Sequence, residues 1–185
     1  TGVVGQACGV DVSVGVRCSG FAGEGSGRGE PAAARAGWMG EGLGVLVADR
    51  AGGVVGAVHC GWRGSGAEMR GAGVAEMWAL GAHPAGIGAA IGPGIGACCF
   101  EVGPEVAAAA EALLHEPLGA LVRPRADGKA LLDLKGVNAR RLAQLGVLAG
   151  QIAVSDACTM CRPDVFWSHR ATNGRRGVQA AVITL

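Results

Sequence analysis

The chain has 185 residues, of which 50% are hydrophobic and 17% are charged, and its formal net charge is +1. This length predicts one domain that can bury a hydrophobic core of its own. The near-neutral charge argues against the extended basic surface that nucleic acid or an anionic membrane would require, so we expect a small-molecule ligand.

The cysteine pattern and the apolar pattern both predict a cytoplasmic protein. The seven cysteines are an odd number and lack the even spacing of a secreted disulfide scaffold, so reduced thiols are expected. No apolar stretch reaches the about eighteen residues of a membrane-spanning helix, and the first residues do not resemble a signal peptide. None of these features predicts the oligomeric state.

The first elements in chain order are predicted strands. Valines alternate with small or polar residues over Val10–Val16, as in a half-buried strand. Residues 18–40 have no apolar period and are predicted to form a loop. Two apolar runs at residues 43–48 and 54–59 flank a glycine-containing turn and predict an antiparallel hairpin that ends at His59.

Helices and strands alternate in the rest of the chain. We predict helices at residues 69–80, 104–114 and 131–145, and strands at residues 87–91, 152–154 and 177–185. The β-branched content of the last segment favours a central position in a sheet. A hairpin followed by this alternation predicts an α/β fold with a mixed β-sheet flanked by helices.

The turn at residues 59–64 (HCGWRG) carries the densest set of reactive side chains. Its glycines expose backbone N–H groups beside the cation of Arg63, which suits an anion or a polar substrate. The alternative is structural, with His59 capping the strand and the thiol and indole beside it filling the core. The adjacency of these groups favours the functional interpretation.

Three further groups of side chains suit ligand binding. Adjacent Cys98 and Cys99 could ligate a metal, although buried inert thiols are the alternative. Cys158 and Cys161 have the spacing of a zinc knuckle or a redox pair, but no second pair of that spacing accompanies them. Residues 166–170 (FWSHR) could line a pocket or form a basic surface turn.

These segments resemble the family of laccase-like multicopper polyphenol oxidoreductases, also described as purine nucleoside phosphorylase and adenosine deaminase enzymes, which includes bacterial peptidoglycan-editing factors. The family's HAGWRG turn is matched by residues 59–64, and its GPxIGxCCYEVG run is matched by residues 92–103 with Phe100 for tyrosine. Similar segments follow in the family's order at residues 133–134, 138–142, 158–159, 166–170 and 174–175. The resemblance extends from about Gly2 to Leu185.

The resemblance implies a three-layer laccase-like fold, similar to that of cytotoxic necrotizing factor, and a zinc site formed by two histidines and one cysteine, with copper as the alternative metal. His59 corresponds to one histidine, as a metal ligand and catalytic residue, and Cys8 stands at the position of the other. Cysteine also ligates zinc. Arg63, His169 and Arg170 are the implied substrate-binding residues, and the implied ligands are a purine nucleoside and phosphate.

The chain departs from the family pattern at two places. The family's metal-binding cysteine belongs to an ADCxPV segment, and neither residues 41–45 nor residues 48–50 supply that thiol. The family's N-terminal strand has no counterpart either. We therefore expect residues 1–185 to form a single domain that lacks the N-terminal part of the family domain.

Three functions are consistent with these residues. The first is a zinc-dependent purine nucleoside phosphorylase or adenosine deaminase that uses His59 and Cys8. The second is hydrolytic editing of a peptidoglycan precursor, in which His59 activates a nucleophilic thiol such as Cys8. The third is a metal-poor binding protein, because two ligands hold zinc less securely than three. Polyphenol oxidation is disfavoured, since four histidines without a His-x-His pair suit multiple copper ions poorly.

Overall fold

The computed structural model describes residues 3–7, 10–16, 35–39, 42–61, 74–175, 177 and 179–183. Up to residue 39 it describes the backbone, and from residue 42 onward it describes side chains as well, apart from that of Glu76. Cys8, Arg63 and the predicted helical residues 69–73 lie outside the described residues, as does most of the predicted loop at 18–40.

Most of the described elements are strands. The strands are β1 (Val3–Ala7), β2 (Val10–Val16), β3 (Arg35–Met39), β4 (Leu43–Asp49), β5 (Val54–Cys60), β6 (Ile87–Ile91), β7 (Glu101–Val102), β8 (Val122–Pro124), β9 (Ala130–Leu132), β10 (Ile152–Val154) and β11 (Gln179–Ile183). The helices are α1 (Val74–Ala79), α2 (Pro104–Leu114) and α3 (Leu134–Gln144). Short 3₁₀ turns precede β6, β8 and β10. No helix in these ranges has the length and apolar character to cross a bilayer.

The main sheet has six strands in the order β1-β2-β5-β4-β6-β10. Its neighbouring strands pair antiparallel except β6 and β10, which are parallel. Two smaller sheets pair β11 with β3, and β9 with both β7 and β8. The predicted α/β fold with a mixed sheet is therefore confirmed, and so is the predicted hairpin formed by β4 and β5.

The core is built on the central strands of the main sheet. β4 and β5 are buried at most positions because other elements cover them, which explains their nearly continuous apolar sequences. Helix α1 packs on β2 and β5, α3 packs on β6 and β10, and the β3–β11 pair contacts β4 and β5. Val45, Val58, Met77 and Ile91 are among the buried side chains that these layers share.

Several predicted elements are confirmed at their boundaries, and others are corrected. Helix α2 covers the predicted residues 104–114, with Pro104 in its first turn. The helix predicted at residues 131–145 begins later, because its first residues form β9 and the Asp133 carboxylate caps α3 by accepting the Gly136 N–H at 3.0 Å. The segment predicted as a loop contains β3. The last strand pairs with β3 in the two-stranded sheet, so its predicted central position is wrong.

Asp49 closes the turn between β4 and β5. Its buried carboxylate accepts the backbone N–H groups of Ala51 and Gly52, both at 3.0 Å, and that of His83 at 3.1 Å. These hydrogen bonds, with that of Gly52 the strongest, lower the pKa of the Asp49 carboxyl although its burial acts in the opposite direction. The carboxylate thus links the hairpin to the segment before β6.

We expect Asp49→Ala to lower the free energy of unfolding by about 1–3 kcal/mol near neutral pH, because three backbone donors lose their acceptor. Folding lowers this pKa, so the stabilisation is present above the unfolded value of about 3.9 and is lost as pH falls through the folded value. Urea unfolding between about pH 7 and pH 2 should show the difference from wild type shrinking at the acidic end. A difference of constant size, or an equal loss in the exposed-residue control Asp156→Ala, would contradict this role.

Candidate functional site

A pocket of about 290 Å³ lies where the ends of β4 and β5 face the turns that follow β6 and β10. Its lining contains Gly42 and Gly61, next to the ends of these strands, together with Phe100 and residues 167–170. The pocket is therefore lined by residues from three sequence motifs that are far apart in the chain. Two of the predicted substrate-binding residues, His169 and Arg170, line it.

Arg170 is held at the edge of this pocket above an aromatic ring. Its Cζ atom lies 5.8 Å from the centroid of the Phe100 ring, and its Nη1 donates to the Glu101 carbonyl oxygen at 3.1 Å. The cation and the ring face thus form a cation–π pair. Trp167, 54% exposed, adds a second aromatic surface to the same wall.

The turn that carries His169 and Arg170 is built by local hydrogen bonds. The buried Ser168 hydroxyl accepts the Ala171 N–H at 3.3 Å, and the Thr172 hydroxyl donates to the Ser168 carbonyl at 2.8 Å. The chain reverses at Gly174, whose φ of +88° favours glycine and whose N–H donates to the His169 carbonyl at 3.0 Å. The sequence of this segment is compatible with either a pocket wall or a basic surface turn. In the structure, residues 167–170 line the pocket.

His59 lies against Gly42, one of the residues that line the pocket. It is the penultimate residue of β5, pairs with Gly44 of β4, and has a buried Nε2 atom. The imidazole packs so closely on Gly42 that a Cβ atom at residue 42 would overlap its Nε2 and Cδ2 atoms. Gly42 and Gly61 line the pocket, so the imidazole adjoins the pocket lining through Gly42.

Four cysteines form a second cluster beside the pocket. The Sγ atoms of Cys98, Cys99, Cys158 and Cys161 all lie within 4.8 Å of one another, and such a group could bind a metal ion. In the sequence these residues form two separate pairs, Cys98 with Cys99 and Cys158 with Cys161. Their contact cannot be predicted from local spacing, because the pairs are brought together by the parallel strands β6 and β10.

The described residues do not assemble the metal site implied at His59. Among the side chains that the structure describes, the four cysteines are the one group of three or more possible ligands, and His59 is not part of it. One histidine does not hold a zinc ion, which takes three or four protein ligands. The proposed second ligand, Cys8, and the implied substrate residue Arg63 lie outside the described ranges, so both stay predictions.

The fold corresponds to a known architecture. The crystal structure of the hypothetical protein YfiH from Bacillus licheniformis has a TM-score of 0.76 and 32% identity, and the match covers 82% of this chain and 57% of that chain. The predicted laccase-like fold is thereby confirmed.

Two curated relatives have named activities. The purine nucleoside phosphorylase YlmD of Geobacillus stearothermophilus is 36% identical over 133 residues, which are 71% of this chain and 48% of that protein. An adenosine deaminase from an unknown prokaryotic organism is 38% identical over 126 residues, which are 68% of this chain and 48% of that protein. The chain thus spans about half the length of these relatives.

The family match is extensive. It covers residues 41–185, from just before β4 to the end of the chain, and the family is described as multi-copper polyphenol oxidoreductase laccase. The two motifs that resemble the family most specifically, at residues 59–64 and 92–103, fall inside the matched range. The chain belongs to this multi-copper polyphenol oxidoreductase laccase family.

Proposed function

We propose that the protein is an enzyme that acts on purine nucleosides, as a phosphorylase or an adenosine deaminase, with its substrate site in the pocket between Gly42 and Arg170. The observation that carries this proposal is the Arg170 guanidinium over Phe100, in a pocket that Trp167 also lines. Aromatic faces suit a flat purine base, and an arginine suits phosphate oxygens. The named activities of the two relatives support this substrate class.

The volume of the pocket agrees with a small ligand. At about 290 Å³ it is near the lower end of the ~300–1,000 Å³ range of small-molecule sites. We assign Arg170 and His169, both exposed at the rim, to the phosphate or the ribose. Arg63 is proposed for the same role from the sequence motif. Charge-assisted hydrogen bonds from these groups would orient the substrate for attack.

We propose His59 as the catalytic histidine. Its Nε2 atom points to Gly42, so the imidazole adjoins the pocket through a residue with no side chain. An imidazole is the side chain best suited to proton transfer near neutral pH. Zinc, with copper as the alternative, stays a proposal for this site, since it needs Cys8 or other ligands beyond the described residues.

The test is product analysis after incubation of the protein with adenosine, with and without phosphate and with added zinc. A phosphorylase releases adenine only when phosphate is present, whereas a deaminase forms inosine in both buffers. We expect His59→Ala to lower kcat/KM by at least about 10²-fold, because the proton-transfer group is lost. The matched control is His115→Asn, at the exposed end of α2, where asparagine tolerates the left-handed φ of 54°.

Formation of neither product by the wild-type protein, or an equal loss of activity in both histidine variants, would contradict the proposed function. Adenosine binding without turnover would instead favour the metal-poor binding protein. Peptidoglycan-precursor editing, the single-domain organisation over residues 1–185, the cytoplasmic location and the lack of nucleic-acid and membrane partners stay predictions from the sequence.

A further inference from the structure

The cluster of thiols beside the pocket is built into the sheet. We call it the thiol cluster, and its members are Cys98, Cys99, Cys158 and Cys161. The first two follow β6 and the last two follow β10. Because β6 and β10 are parallel neighbours, their carboxyl ends meet at the same edge of the sheet. The Thr159 N–H donates to the Gly94 carbonyl at 3.0 Å and joins the two turns directly.

The sulfur atoms are close to the arrangement that one metal ion needs. The Sγ atom of Cys161 lies 3.6 Å from that of Cys98 and 3.4 Å from that of Cys99, and no pair in the cluster exceeds 4.8 Å. A tetrahedral zinc–thiolate site with bonds of about 2.3 Å has sulfur–sulfur separations of about 3.8 Å. Shifts of about 1 Å or less would therefore convert the cluster into such a site.

Backbone groups hold the cluster in this form. The Gly96 N–H donates to the Cys158 Sγ at 3.2 Å, the kind of second contact that orients a thiolate ligand. A Cβ atom at residue 96 would lie 3.2 Å from the Cys158 Cβ and 3.3 Å from the Cys98 Sγ. A side chain at residue 96 would therefore be tightly packed where the two turns approach each other.

A buried lysine also holds the second turn. The Lys135 Nζ, on the first turn of α3, donates to the carbonyl oxygens of Ser155 at 2.7 Å and Ala157 at 3.1 Å. The segment that leads to Cys158 is therefore tied to α3 as well as to β6. A site held on both sides loses little entropy when it binds an ion.

The ionisation of the thiols agrees with this geometry. Although burial opposes ionisation, hydrogen bonds from the Gly96 and Cys161 N–H groups lower the pKa of Cys158 to about 6. Burial and hydrogen bonding to Cys161 raise the pKa values of Cys98 and Cys99. The shifts differ in direction because the Cys158 sulfur accepts backbone N–H groups, whereas the sulfurs of Cys98 and Cys99 contact the thiol of Cys161.

We propose that the thiol cluster is a structural zinc site, separate from the pocket site at His59. Four cysteines close the coordination sphere and leave no open position for a substrate, which is typical of structural zinc. Thiolates select zinc over magnesium and calcium, which prefer oxygen. Phe100 and Thr159, next in sequence to two of the cysteines, line the pocket, so the ion would fix that wall.

A disulfide is the competing use of these thiols. The Cys161 sulfur contacts those of both Cys98 and Cys99, so an oxidant could join it to either one. A disulfide would use two of the sulfurs, whereas zinc uses all four. The two states differ in metal content and in whether a chelator or a reductant makes the thiols reactive.

The experiment measures zinc per chain by mass spectrometry and the ligands of zinc by X-ray absorption at the zinc edge. The full chain is compared with the His59→Ala variant, in which an ion at the pocket site would be lost, and with a Cys158→Ser/Cys161→Ser variant. The control for thiol number is Cys60→Ala, since Cys60 is buried in β5 and outside the cluster. All proteins are purified with zinc and without oxidants.

We expect about one zinc ion with four sulfur ligands in the His59→Ala protein, and the same zinc–sulfur signal in the wild-type and Cys60→Ala proteins, where an ion at the pocket site would add nitrogen ligands. In the double serine variant this zinc–sulfur signal should fall at least about tenfold after mild chelation. Unchanged zinc in that variant, nitrogen or oxygen ligands in the His59→Ala spectrum, or a zinc-free protein with a disulfide would overturn the proposal. If the double variant does not fold, the ligands seen in the wild-type and His59→Ala spectra decide the question.

Discussion

The Gly42→Ala variant should lose at least about 10²-fold in kcat/KM for the purine nucleoside, because a displacement of a catalytic group by about 1 Å is enough to cause that loss. The added methyl group would overlap the Nε2 and Cδ2 atoms of His59 and would lie 2.9 Å from the backbone nitrogen of Gly61. The imidazole ring would have to move to make room for the methyl group. Steady-state kinetics of the variant measure this effect.

Gly88→Ala is the matched control for this variant. Gly88 lies in β6 of the same sheet, and an added Cβ atom there would meet nothing closer than the Ala48 carbonyl oxygen at 3.9 Å. Its activity and melting temperature should stay near those of the wild-type protein. If both alanine variants kept full activity, the proposed dependence of catalysis on the His59 position would be wrong.

Leu132→Ala is expected to lower the free energy of unfolding by about 2–5 kcal/mol, since it removes a large side chain from a closed core. Leu132 is 0% exposed in β9, and its N–H donates to the Phe100 carbonyl at 3.0 Å. The backbone of β9 is thus hydrogen-bonded to a residue that lines the pocket. Urea unfolding monitored by circular dichroism gives the change directly.

Leu148→Ala serves as the control for size and residue type. Leu148 is 53% exposed, so its truncation should change the unfolding free energy by less than about 0.5 kcal/mol. If Leu132→Ala lowered the unfolding free energy as little as Leu148→Ala does, β9 would not belong to the cooperative core.

The elements that could be predicted from the sequence are those with local signals. The hairpin of β4 and β5 follows from two apolar runs around a turn, and α2 follows from a proline at its start and an alanine-rich sequence. The start of α3 was predicted too early because Leu131 and Leu132 fit a helical period as well as a strand. The Asp133 side chain caps the helix and sets its first residue, whereas the spacing of apolar residues alone does not specify that boundary.

Long-range relations were harder to predict. The β-branched residues of β11 indicate a strand, but they do not specify its partner, which is β3 in a separate sheet. For the site, the motif residues His169 and Arg170 were predicted and line the pocket, whereas Gln179 of β11 also lines it and carried no sequence signal. To predict the thiol cluster, one must know that β6 and β10 are neighbours in the sheet, and the local sequence does not show this.

The parallel pairing of β6 with β10 also bears on how the protein folds. A parallel pair needs a long crossover, and here α2, the three-stranded sheet and α3 all lie between the two strands in sequence. Closing so large a loop is a slow, late step compared with forming the β4–β5 hairpin. The pocket is therefore completed only when the C-terminal third of the chain docks, and substitutions in the crossover can delay its appearance without touching a single residue that lines it.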